Sequence, residues 1–291
     1  MQIRHPVAAG SFYEAGEEAC RASLAKCIPE RIDSGELPER IVAGIVPHAG
    51  WIFSGQVAGE VFRSIAQQGQ PEVFVLFGAM HRGIAQLGGM FCDGAWRTPL
   101  GDALVDERLA ERILGGTNLI ERNARVHADE HSLEVIVPFI QYLFGQAKIL
   151  PIAVPPVGEA HEIGQAVGRI LAAEQTAAVC IGSTDLTHYG PGYGFAPQGA
   201  GQEGIIWAKD VNDRSIIELI CGLESEKIVA EAELHRNACG AGAVAATIGA
   251  GVQMGAKRAL VLSHICSAQV SERLWGRQSS ESVGYAGIVF G

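Results

Sequence analysis

The 291 residues are 48% hydrophobic and 19% charged, which supplies enough apolar side chain for a sizeable core and leaves disorder without a compositional basis. The net charge is −10, with 22 lysines and arginines scattered against 32 acidic residues; such a surface repels a phosphate backbone and excludes nucleic acid as the expected partner. Seven cysteines without regular spacing or a C-x-x-C pair, and an N-terminus lacking a signal-like apolar core, lead to the expectation of a cytoplasmic protein in a reducing compartment.

In chain order, short apolar runs alternate with helical patterns. A helical pattern over Glu14–Cys27 precedes the run Ile41–Val46. After Ser54, a residue type that caps helices, Ala58, Val61, Phe62 and Ile65 fall on one helical face. The run Val73–Phe77 and a helical pattern over Val105–Leu114 follow. Ser132 is expected to cap a helix carrying Leu133, Val137 and Ile140, which Pro138 should kink. Runs at Lys148–Val154, Ala177–Ile181, Arg258–Ser263 and Val283–Phe290 then alternate with helical patterns at Ala160–Ala173 and Ala208–Cys221.

The Gly-rich stretch from Gly190 to Gly204 reads as a loop long enough to be a lid or pocket wall. Ala238 to Ala256 carries no charge, but it is mostly Ala and Gly, which gain little from hydrocarbon. A tightly packed internal helix is expected there, and no membrane partner. Near-continuous apolar runs suit strands buried on both faces. The expected fold class is therefore α/β, a mainly parallel β-sheet flanked by helices, in a single domain over residues 1–291.

In such sheets the ligand crevice lies beyond the carboxyl ends of the strands. Three runs deliver a histidine there. Ile41–Val46 leads into Pro47-His48-Ala49-Gly50-Trp51, Val73–Phe77 into Gly78-Ala79-Met80-His81, and Ala177–Ile181 into Gly182-Ser183-Thr184-Asp185-Leu186-Thr187-His188. A single histidine there would be an ordinary hydrogen-bonded residue; three at equivalent positions point to a shared site. Cys239 opens the Gly/Ala-rich helix, whose N-terminus favours a thiolate. Imidazole and thiolate together suit iron, copper or zinc rather than magnesium or calcium.

Two other chemistries leave partial signatures. His127-Ala-Asp-Glu130-His131 matches the H-x-x-E-H pattern of inverted zinc peptidases. That mechanism needs both histidines on one face of a continuous helix, whereas the apolar period starts only after His131. A serine hydrolase is weaker, because Ser183, Asp185 and His188 crowd one loop and no G-x-S-x-G elbow exists.

Assembled, these motifs resemble the Memo (mediator of cell motility) family in its prokaryotic branch, over nearly the whole chain. The resemblance rests on Arg4-x-Pro6…Ala9-Gly10-Ser11-Phe12-Tyr13, Pro47-His48-Ala49-Gly50 with Ser54-Gly55, and Trp96-Arg-Thr-Pro99-Leu-Gly101. It continues through Glu130-His131-Ser132-Leu133-Glu134 with Pro138-Phe139, Ser183-Thr-Asp185-Leu-Thr-His188-Tyr-Gly190, Cys239-Gly240 and Ser282-Val-Gly-Tyr285-Ala.

The family is similar to the class III extradiol dioxygenases, which hold a non-haem Fe(II) on two histidines and a glutamate. The resemblance implies that His48 and His81 are metal ligands, that Cys239 replaces the glutamate, and that His188 is an acid/base group with Asp185 beside it. His131, Glu134, Trp51 and Ser183 are expected around the pocket. A thiolate in place of the glutamate shifts preference towards Cu(I) or thiolate-bound iron, with Fe(II) the first expectation. The implied function is a metal-dependent redox enzyme acting on a small molecule or a modified protein, linked to a radical-SAM protein and an AMMECR-type protein. The alternative is a metal-binding adaptor without turnover.

Overall fold

The computed structural model describes residues 2–33, 35–82 and 85–291. Its first half contains β1 (Ile3–Arg4), α1 (Glu17–Cys27), β2 (Ala43–Val46), α2 (Trp51–Gln68), β3 (Val73–Gly78), β4 (Gly88–Met90), β5 (Ala95–Thr98), β6 (Gly101–Leu104), α3 (Glu107–Gly116) and β7 (Ile120–Arg122). It continues through α4 (Val137–Phe144), β8 (Lys148–Ala153), α5 (Ala160–Glu174), β9 (Ala178–Ser183), β10 (His188–Tyr189), α6 (Gln202–Trp207) and α7 (Arg214–Cys221). The last elements are α8 (Ile228–His235), α9 (Ala241–Gln253), β11 (Ala259–Cys266), α10 (Ser267–Trp275) and β12 (Ser282–Phe290).

The large sheet has the order β10-β12-β2-β9-β3-β8-β4-β7, with β11 on β12. At its centre β2, β9, β3 and β8 run parallel. They are buried along nearly their whole length, which is why each reads as an unbroken apolar run. The direction reverses on either side, β12 running antiparallel to β2 and β4 to β8, while the outermost β7 is parallel to β4. The expected α/β architecture therefore holds, with parallel pairing concentrated in the middle. A separate three-stranded sheet joins β1, β5 and β6.

Register brings the site together. Val46 pairs with Ser183 and Phe77 with Gly182, so β2, β3 and β9 end level and send their following residues to one edge. The charge-free stretch becomes α9, buried over most of its length. A Cβ at Gly164 of α5 would lie 1.8 Å from the Ala246 carbonyl oxygen, so the two helices touch backbone to backbone and tolerate only small residues. No helix among the described residues is long and apolar enough to cross a membrane.

Two helix starts differ from expectation. Ser54 does not cap α2: the helix begins at Trp51, whose N–H donates to the Phe12 carbonyl at 2.9 Å, and Gly50 is its N-cap. The N-terminal segment supplies the acceptor a side-chain cap would have given. Ser132 does not cap α4, which starts at Val137 with Pro138 in its first turn. There the missing N–H costs no hydrogen bond, so Pro138 begins the helix rather than kinking it. The pattern over 208–221 is a π-helical turn, Ala208–Asp213, running into α7.

Candidate metal centre

His48, buried at 2% exposure, leaves the end of β2. Its Nδ1 lies 2.9 Å from Ser183 Oγ, which donates its own proton to the Ser132 carbonyl at 2.7 Å. The carbonyl only accepts and the hydroxyl has one proton, so Nδ1 must be the protonated nitrogen and Nε2 presents a lone pair. His81, after β3, is held alike: Nδ1 sits 3.0 and 3.1 Å from the two Glu130 oxygens, and the His81 N–H donates to the same carboxylate at 3.1 Å. Burial pushes the Glu130 carboxyl up, but the bonds from His81 outweigh it and hold it well below the usual carboxylate range. Both rings are thus oriented through one nitrogen with the other free, the support that metal-binding histidines receive.

One donor atom from each of His48, His81 and His131 lies within 4.8 Å of the others. The His81 and His131 rings stack at 5.1 Å, and His48 meets both edge-on. Burial, then the neighbouring imidazoles, drives the His48 pKa well below 6.5; burial also lowers that of His131. Neutral imidazole is the ligating form. The three residues therefore form a cluster compatible with a metal ion.

Cys239, just before α9, approaches the cluster at His48 alone and is not among the three donors that lie within mutual reach. Its Sγ is 3.2 Å from His48 Nε2 and accepts the Asp185 N–H at 3.3 Å. The next residue must be glycine, since a Cβ at Gly240 would lie 2.3 Å from the Ser183 carbonyl oxygen. Burial, reinforced by the Asp185 charge, pushes the Cys239 thiol up; in the absence of a cation it is an S–H directed at His48. The expected benefit of the helix N-terminus is outweighed by this burial.

His188 stands at β10, where Val283 pairs with it. Its Nδ1 donates to the Leu186 carbonyl at 3.0 Å, leaving Nε2 as a lone pair in the cavity. The expected carboxylate contact from Asp185 is absent from its hydrogen bonds: Asp185 Oδ1 instead accepts the N–H groups of His48 and Ala49 at 2.8 and 3.2 Å. Those amides precede α2 and need an acceptor, which binds Asp185 to the His48 turn. The π-helical turn anchors the His188 segment: Asp213 Oδ1 accepts the Thr187 N–H at 2.9 Å, and Asn212 Nδ2 donates to Thr187 Oγ1 at 3.0 Å.

The remaining pocket residues sort differently from expectation. Ser183 contacts His48 directly. Glu134 does not line the cavity; it accepts from Arg4, from the N–H groups of Val7, Ala8 and Ala9, and from the Tyr13 hydroxyl. It thereby holds the segment whose Phe12 packs on His131 at 4.7 Å. Trp51 braces this wall from behind, donating Nε1 to the Val135 carbonyl and stacking on Tyr13.

His127 is fully buried, with Nε2 on the Gly89 carbonyl at 2.9 Å and its ring against Trp96. It ends a 3₁₀ turn, Ala124–His127, not the continuous helix the peptidase pattern requires, and it takes no part in the cluster with His131. His131 in the donor cluster and Glu130 as the anchor of His81 are not apparent from the sequence pattern. Their adjacency in one polar turn was the available signal.

Comparison with known proteins matches this architecture over its length. The profile of Memo-like proteins covers residues 4–289. The chain belongs to the Memo-like family. Among the MEMO1 family proteins, that of Methanopyrus kandleri is 34% identical over 99% of this chain and 98% of its own. The MEMO1 family protein of Thermococcus kodakarensis is 36% identical over 99% of each. An uncharacterized protein from Escherichia coli K12 has a solved structure with a TM-score of 0.52 at 12% identity, covering 84% of this chain and 99% of that one. At that identity the likeness is one of fold. The Memo-like fold therefore carries, here, three imidazoles and a thiol at the carboxyl edge of its parallel strands.

Proposed function

We propose that this Memo-family chain is a metal-dependent redox enzyme acting on a small hydroxyl-bearing molecule. His48, His81 and Cys239 would hold the ion, with Fe(II) the preferred metal and copper the next. The observation that carries this is the paired anchoring of Nδ1 in His48 by Ser183 and in His81 by Glu130, which aims both Nε2 lone pairs outward. The 3.2 Å between His48 Nε2 and Cys239 Sγ would let an imidazole and a thiolate serve the same ion, the donor pair suited to iron or copper. His131, stacked on His81, is a neighbour to substrate. A bound ion supplies Lewis acidity and a redox couple, lowering the pKa of a substrate hydroxyl beside it.

The residues do the rest. His188 Nε2 takes the hydroxyl proton, its ring held by the Leu186 carbonyl. Phe12, in the segment held by the Glu134 clamp, forms the cavity wall against His131. The cavity, about 570 Å³, is of small-molecule size, which favours a free metabolite over a folded protein as substrate.

The test is anaerobic purification with elemental analysis, then iron loading and a catechol assay under oxygen. One equivalent of ion is expected, lost in His48→Ala. In His188→Ala the ion should stay while turnover falls roughly 10²–10⁴-fold, the usual range for acid–base catalysis. Stoichiometric metal with no turnover on any hydroxyl compound would turn the reading to the adaptor. Loss of metal in His188→Ala would make that residue a ligand.

A further inference from the structure

Part of the cavity wall comes from elements that supply no metal donor. Tyr193, Ser267, Ser271, Ser279, Glu281 and Tyr285 line it, from the turn after β10, from α10, from the turn following it and from β12. Among the described residues no lysine or arginine lines this cavity. Glu281 is fastened to the His188 segment: its Oε1 accepts the Gly192 N–H at 2.6 Å, and a Cβ at Gly190 would lie 2.7 Å from its Cγ. Oε2 has no hydrogen-bond partner among the described residues. Ser279 Oγ accepts the Glu281 N–H at 3.0 Å, which leaves its hydroxyl proton to donate, whereas Ser267 Oγ accepts the Val283 N–H at 2.9 Å and turns its hydroxyl toward Tyr285.

The charge balance decides what this wall favours. The N-terminus of α10, at Ser267, offers about half a positive charge, against the full negative charge of the Glu281 carboxylate. Neutral hydroxyls do not reverse that sign. Phe12, Phe53 and Tyr193 add flat aromatic faces, with the Tyr193 ring edge-on to His188 at 5.2 Å.

We infer that the substrate is an aromatic hydroxyl compound whose other end carries a protonated amine, seated on Glu281 while the hydroxyl faces His188. This rests on the proposed function only for placing the hydroxyl at a metal ion; the amine preference stands on the Glu281 wall itself. A carboxylate or phosphate at that end meets Glu281 without a counter-charge and is disfavoured.

Titration calorimetry with three probes sharing a phenol ring tests this. They are tyramine (cationic), 4-ethylphenol (neutral) and 4-hydroxyphenylacetate (anionic), offered to the full chain stripped of metal and again loaded with zinc. Without metal, tyramine should bind roughly tenfold tighter than 4-ethylphenol, as a charge-assisted contact allows, and the anion weakest of all. Glu281→Gln, which can still accept from Gly192, should bring tyramine to within about threefold of 4-ethylphenol once the charge is gone.

The inference is overturned if the anion matches tyramine in the metal-free chain, if Glu281→Gln keeps the tyramine preference, or if neither form binds any probe. Zinc should tighten all three phenols. If it does not, the placement of the hydroxyl falls, and with it the catalytic reading of the metal site, while the amine preference remains.

Discussion

Ser183 Oγ accepts the Nδ1–H of His48 while donating its own hydroxyl to the Ser132 carbonyl. One hydroxyl thus dictates which nitrogen of the most buried donor is free. Ser183→Ala leaves a buried N–H unpaired and the ring free to change tautomer. Metal affinity in competition with a chelator is expected to fall about 10–100-fold, the usual cost of losing such support. Ser183→Thr, which keeps the hydroxyl, should restore most of it. An unchanged affinity in the alanine variant would show that the tautomer is set elsewhere.

The third donor is read directly by cobalt substitution. The Co(II)-loaded chain should show a thiolate-to-cobalt charge-transfer band, lost in Cys239→Ser and kept in His131→Ala. A spectrum without that band, together with loss of the ion in His131→Ala, would define a three-histidine site instead.

His127 sets an acid limit on the fold. Burial lowers its pKa from 6.5 to about 4, and its Nδ1 has no hydrogen-bond partner. Because the folded value lies below the unfolded one, the unfolded chain takes up the proton first as pH falls. This contribution is complete above pH 6.5 and erodes down to about pH 4, by about 3 kcal/mol in all. Urea unfolding at pH 7 and pH 4 should show the loss, and His127→Gln should flatten that limb. A variant with the wild-type slope would assign the acid sensitivity to other groups.

Glu134 binds the N-terminal segment to the body. Glu134→Ala leaves the Arg4 guanidinium, buried to 5% exposure, without its carboxylate, a change of the kind that costs about 3–5 kcal/mol. Amide hydrogen exchange of residues 7–13 should quicken ahead of the central strands. Uniform quickening across the chain would show that the segment opens only with global unfolding.

The sequence displayed the sheet because its central strands are covered on both faces, so burial itself wrote the apolar runs. Level strand ends then made His48, His81 and His188 neighbours by topology alone. The partners of these groups were not legible in the same way. Glu130 meets His81 across 49 positions and Arg4 meets Glu134 across 130, and no local period encodes such pairings. A spacing of three suggests that Asp185 faces His188, yet the amides of His48 and Ala49, brought level by the β2–β9 register, claim its carboxylate. His131 lies in an aperiodic turn, where pattern reading cannot say which way an imidazole points.

The cavity draws its donor groups and its other lining from separate stretches of chain. The imidazoles follow β2 and β3 or precede α4, whereas the wall with Glu281 lies between positions 267 and 285. The two can drift at different rates in a lineage. Exchanging side chains along that last stretch recasts which compound is admitted while leaving His48, His81 and His131 in place, although Glu281 also holds the turn after His188, so selectivity and the placing of that imidazole change together.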